Sequence, residues 1–279
     1  MRTESVMGLS ANGFHRVVYH EWGSPDNERV LVCVHGLARN SRDFDDIAKA
    51  LSREYRVICP DMVGRGESDW LANPAGYGMP QYLADMTVLL ARLNVDKVDW
   101  LGTSMGGIIG MLLAAMPKSP IRKLILNDIG AFVAESALQR IGDYLIPKYF
   151  ESPEATQAFM KATYPGLGNL SEAQWQHLAE HGFKKEPQGW TQHYDPAIGD
   201  ITRATANQDV DLWPVWRAIQ CPQMLIWGET SDVLNQATVE QMQQEKPAMT
   251  LYRLPGVPHV PSLMEDAHIQ TITEWLRSH

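Results

Sequence analysis

Three cysteines in 279 residues, Cys33, Cys59 and Cys221, are too few to build a disulfide framework. Cys33 lies in the apolar run Val30–Val34 and Cys59 in Val57–Pro60, where a thiol acts as a small hydrophobe. A reducing, cytoplasmic setting is therefore expected. Positive charge is also scarce: 24 Lys and Arg stand against 33 Asp and Glu, a net charge of −9. That balance lacks the electrostatic footprint of a nucleic-acid binder and disfavours adsorption to anionic lipid. Long hydrophobic runs are missing. The longest, Ile108–Met116 with Gly110 inside it, falls far short of the ~20 residues that cross a bilayer. No apolar stretch follows Met1–Ser5 to make it a signal peptide. Repeats and low-complexity segments are absent as well. What remains, 44% hydrophobic and 20% charged residues, is the composition of a folded globular chain.

Short Val- and Ile-rich runs alternate with segments of helical period. Strands are predicted at Phe14–Trp22, Val30–Val34, Arg56–Cys59, Lys97–Leu101, Arg122–Leu126, Gln223–Trp227 and Met249–Leu254. Helices are predicted at Ser41–Leu51, Pro80–Leu93, Gly106–Met116, Thr238–Gln244 and Glu265–Arg277. Such alternation implies an α/β fold, a mostly parallel central sheet with helices on both faces. The rhythm breaks between Gly130 and Pro214, where helical pieces, Pro and Gly punctuation and aromatics occur without a clear strand. The expected organisation is a core of residues 1–130 and 215–279 with a helical cap inserted at 131–214.

The sharpest local signal is Gly102-Thr103-Ser104-Met105-Gly106, a G-x-S-x-G between a predicted strand and a predicted helix. A serine on that turn is held in strain, and the helix N-terminus below it favours negative charge. Ser104 is the candidate nucleophile. It needs a base, and His259 sits in Pro258-His259-Val260-Pro261 directly after the last predicted strand. A carboxylate must orient that base. Asp232, just past the preceding strand, gives the chain order Ser104, Asp232, His259 and is preferred. Asp128, in Asn127-Asp128-Ile129-Gly130, is the rival. Oxyanion donors are expected from the backbone N–H groups of Met105, after the nucleophile, and Leu37, in His35-Gly36-Leu37. His35 itself reads as structural.

These motifs, together with Asp61-Met62-Val63-Gly64-Arg65-Gly66-Glu67-Ser68-Asp69, resemble the successive signatures of the α/β-hydrolase fold over nearly the whole chain. The resemblance implies a cap over the active site and cofactor-free, metal-free ester hydrolysis through an acyl-enzyme. His35–Phe44 and Asp99–Gly107 also look like bacterial carboxylesterases that include polylactate-type polyester depolymerases. That implies small or medium acyl esters, with hydroxyacid oligoesters or polyesters among them, as the small-molecule partners. Epoxide hydrolases and haloalkane dehalogenases of the fold place Asp where this chain has Ser104. A carbon–carbon bond hydrolase or a non-catalytic binding protein on the same scaffold are the alternatives.

Other motifs read more plainly. His177-Leu178-Ala179-Glu180-His181 fits an inverted zinc-protease pattern but has no evident third ligand. Gly64-Arg65-Gly66 lacks the third glycine and the helix of a dinucleotide loop. The aromatics of the insertion, Tyr144 and Tyr164 among them, are expected mainly to fill the cap, with some facing the pocket.

Overall fold

Along β3 (Val30–Val34), Val30, Val32 and Val34 enter one hydrophobic core while Leu31 and Cys33 enter another. Period-two alternation in an all-apolar strand means that both faces of its sheet are covered. In the computed structural model, which describes all 279 residues, the chain begins with β1 (Arg2–Ser10) and β2 (Gly13–Trp22) ahead of β3. There follow α1 (Asp45–Leu51), β4 (Arg56–Pro60), α2 (Met79–Leu93), β5 (Val98–Thr103), α3 (Met105–Ala114) and β6 (Ile121–Asn127). The middle segment holds β7 (Phe132–Val133), α4 (Glu135–Tyr144), α5 (Pro153–Thr163), α6 (Glu172–Gly182), β8 (Phe183–Glu186), β9 (Gly189–Gln192), α7 (Ala197–Thr205), β10 (Val210–Asp211) and α8 (Trp213–Ala218). The alternation resumes with β11 (Gln223–Gly228), α9 (Gln236–Glu245), β12 (Thr250–Leu254) and α10 (Asp266–Ser278).

Eight strands form one sheet in the order β1-β2-β4-β3-β5-β6-β11-β12. The β1–β2 and β2–β4 pairs are antiparallel, and every later neighbour is parallel. The fold class expected from the sequence is thus the one observed. Residues of α2, α3, α8 and α9 pack into the larger core and those of α1 and α10 into the smaller one. β1 has no counterpart in the sequence reading. Its burial alternates only near Val6 and Gly8 and its first four residues are exposed, so the chain carries little apolar period there.

No strand of the main sheet comes from residues 128–222. This segment is not purely helical, because β7 pairs with β10 and β8 with β9 in two small antiparallel sheets. Trp175, Leu178 and Phe183 form a separate small core with Met160, Leu167 and Met264. Tyr194 and Trp216 join the main core instead. The segment is also joined to the loop after β4 by main-chain bonds: Gly66 N–H donates to the His193 carbonyl at 3.0 Å and Asp195 N–H to the Gly64 carbonyl at 2.8 Å.

Candidate active site

Ser104 occupies the sharp turn between β5 and α3 with φ 50° and ψ −114°. A non-glycine residue in that region is strained, and strain of this kind persists only where the surroundings over-determine it. Two glycines make the turn feasible. A Cβ on Gly106 would lie 2.0 Å from the Val34 carbonyl oxygen, and one on Gly102 would lie 2.3 Å from Gly106 backbone. The Ser104 carbonyl caps the first turn of α3, accepting from Gly107 at 2.9 Å and Ile108 at 3.1 Å.

His259, in the loop after β12, brings Nε2 to 3.1 Å from Ser104 Oγ. Its Nδ1 lies 2.7 Å from Asp128 Oδ2. Asp128 is fully buried at the C-terminal end of β6, with φ 54°. Its other oxygen, Oδ1, accepts from Gly228 N–H at 2.9 Å. With both carboxylate oxygens engaged, Nδ1 is the protonated nitrogen and Nε2 is free to accept from the serine. Asn127 braces the same corner, donating to Thr103 Oγ1 at 3.1 Å and to the Pro261 carbonyl at 2.8 Å.

The expectation that Asp232 orients His259 is corrected by this geometry. Asp232 is about half exposed and is paired with Arg140 of α4. It lies four residues past β11 in the polar stretch Glu229-Thr230-Ser231, which turns toward solvent. β6 is the immediate neighbour of β5, so its end places Asp128 beside the serine turn.

Leu37 N–H donates to no protein acceptor, and its orientation has an identifiable cause. Met62 N–H donates to His35 Nε2 at 2.9 Å, which leaves the ring proton on Nδ1. Nδ1–H in turn donates to the Gly36 carbonyl at 2.7 Å. The Gly36–Leu37 peptide is thereby held with its N–H turned away from His35. Burial lowers the His35 pKa to about 4, so the ring stays neutral in this role. Met105 opens α3, where the first N–H groups have no intrahelical acceptor.

No motif announces what Arg65 does. It is fully buried and meets only neutral partners. Nε donates to the Leu37 carbonyl at 2.9 Å, and Nη1 to the Val63 carbonyl at 2.8 Å and Tyr82 Oη at 2.9 Å. Nη2 approaches Met105 Sδ at 3.8 Å. One guanidinium therefore touches both residues whose amides were expected to serve the oxyanion. His177 Nε2–H donates to the Arg42 carbonyl at 2.9 Å, and Glu180 accepts from Gln176 at 2.8 Å. The H-x-x-E-H residues thus have separate structural partners, and no group of three metal-ligating side chains occurs in the structure.

Ser104 and His259 open into a cavity lined also by Leu37, Tyr144, Tyr164 and Met264. Its volume is about 80 Å³. Pockets for drug-sized ligands run to roughly 300–1,000 Å³, so this one suits a short acyl group.

A strained serine at a strand–helix turn, a histidine from the last loop and a parallel sheet below them define a class, and residues 29–266 match the family description "alpha/beta hydrolase fold". The chain belongs to that family, and it is a hydrolase. It is 45% identical to a 3-hydroxybutyrate-oligomer hydrolase of Cupriavidus necator, over 95% of this chain and 94% of that protein. Among solved structures, a Rickettsia typhi protein is 36% identical with a TM-score of 0.94, each chain covered completely. An α/β hydrolase from Novosphingobium aromaticivorans is 31% identical with a TM-score of 0.88, over 99% of both chains.

Proposed function

We propose that this protein is a serine esterase that cuts short hydroxyacid oligoesters of the 3-hydroxybutyrate kind. The observation that carries the reading is the unbroken relay from Ser104 Oγ through His259 to Asp128, at 3.1 and 2.7 Å. The similarity to the oligomer hydrolase supports the substrate class, and the small cavity supports a short acyl group. Ser104 Oγ attacks the ester carbonyl carbon while His259 Nε2 takes its proton. Asp128 stabilises the imidazolium and holds its tautomer. The Leu37 and Met105 N–H groups receive the charge on the former carbonyl oxygen. Arg65 aligns Leu37 and adds positive potential nearby. The tetrahedral intermediate collapses, His259 protonates the leaving alkoxide, and a water activated by His259 then releases the acid from Ser104.

Residues 131–214 act as the cap in this reading. No helix is long and apolar enough to cross a membrane. A cytoplasmic location belongs to the same proposal, since three unpaired cysteines suit a reducing compartment.

The test is release of monomer and shorter oligomers from linear 3-hydroxybutyrate trimer, followed by chromatography. Wild type should cleave it, and Ser104→Ala should lose at least ~10⁴-fold in kcat. A folded Ser104→Ala protein within tenfold of wild type would overturn the assignment.

A further inference from the structure

A buried hydroxyl is normally paired, because leaving it unbonded costs about 1–3 kcal/mol. Several tyrosines of this chain find partners within the protein. Tyr77 Oη donates to Asp195 at 2.6 Å, Tyr55 Oη lies 3.2 Å from Asp99, and Tyr82 Oη accepts from Arg65. Tyr144, at the end of α4, and Tyr164, just past α5, are half-buried and have no such partner. Both line the cavity that holds Ser104 and His259, their rings meet edge to face at 6.0 Å, and neither hydroxyl bonds to any protein group. They come from different elements of the covering segment, so their meeting is a tertiary arrangement rather than a local turn.

We infer that Tyr144 and Tyr164 form an oxygen-recognising subsite of the acyl cavity, donating to a hydroxyl or ester oxygen carried on the acyl chain of the substrate. The inference rests on the esterase reading above and adds what that site selects. Burial raises the pKa of both phenols, so both remain proton donors at neutral pH. Being part-exposed in the cavity, they can bond to solvent when no substrate is there. A plain alkyl chain would expel that water and leave two donors unpaired. An acyl chain with oxygen at its third carbon replaces the water and loses nothing. This asymmetry lets polar sites reject a substrate that lacks one group far better than apolar pockets reject an added one. Such a subsite would make a small cavity favour oxygenated short chains over fatty acyl chains of equal length.

p-Nitrophenyl 3-hydroxybutyrate and p-nitrophenyl butyrate share a leaving group and differ by one acyl oxygen. Their kcat/KM ratio is to be measured for wild type, Tyr144→Phe, Tyr164→Phe and the double variant, each checked for an unchanged melting temperature. Wild type should favour the hydroxylated ester by at least about tenfold, and the double variant should lose most of that preference. Each single variant should lose part of it. Wild type with no preference, or a double variant within twofold of the wild-type ratio, overturns the subsite while leaving the esterase reading intact. Wild type inert toward both esters overturns the esterase reading and the subsite with it. Should the double variant fail to fold, the two single variants decide: unchanged ratios in both overturn the subsite.

Discussion

Asp128 and Asp232 are chemically identical, and their surroundings set them apart. One is sealed beneath His259 with both oxygens bonded, and the other meets solvent and Arg140. Asp128→Asn should lower kcat by about 10⁴-fold, because the amide favours the wrong imidazole tautomer. Asp232→Asn should stay within about threefold, since an exposed ion pair contributes little. Steady-state kinetics on one ester decide the matter, and the reverse ranking would return the role to Asp232. The serine and the histidine were legible because each follows a strand in a short, distinctive motif. The acid was harder. Chain order favoured Asp232, yet a usable signal was present: Asp128 follows the apolar run Leu124-Ile125-Leu126 after only Asn127, whereas Asp232 follows a polar stretch. The tasks of His35 and Arg65 could not be read, because they depend on which carbonyls folding brings near.

At the level of elements, the β5–α3 turn depends on contacts too close for any side chain. Gly106→Ala would place a methyl group against the Val34 carbonyl at 2.0 Å. It should destabilise the fold by about 3 kcal/mol or more, since neither β3 nor α3 has room to withdraw. A melting temperature within about 2 °C of wild type would contradict that contact. Strong elements announced themselves in the sequence because their period runs over many residues, as in α2 with Tyr82, Met86, Leu89 and Leu93 buried. Weak ones did not. β7 and β10 are two residues each, too short to express any period, and exist only because the chain returns to pair Val133 with Val210. β1 is a partly exposed edge whose partner, β2, supplies most of the pattern.

For the molecule as a whole, burial of neutral histidines ties stability to pH. The His35 pKa falls from the ordinary 6.5 to about 4, and His181 falls to about 4 also, chiefly through burial. Between those values the unfolded chain binds protons that the folded chain refuses, so stability present above pH 6.5 is lost as pH falls toward 4. His35 alone should cost about 2 kcal/mol between pH 7 and pH 5. Urea unfolding at the two pH values measures it, and equal midpoints would refute it. The main-chain bonds between Gly64–Gly66 and His193–Asp195 carry a different lesson. They clip the middle segment to the loop after β4 at two points, so that this edge shifts only if both bonds break.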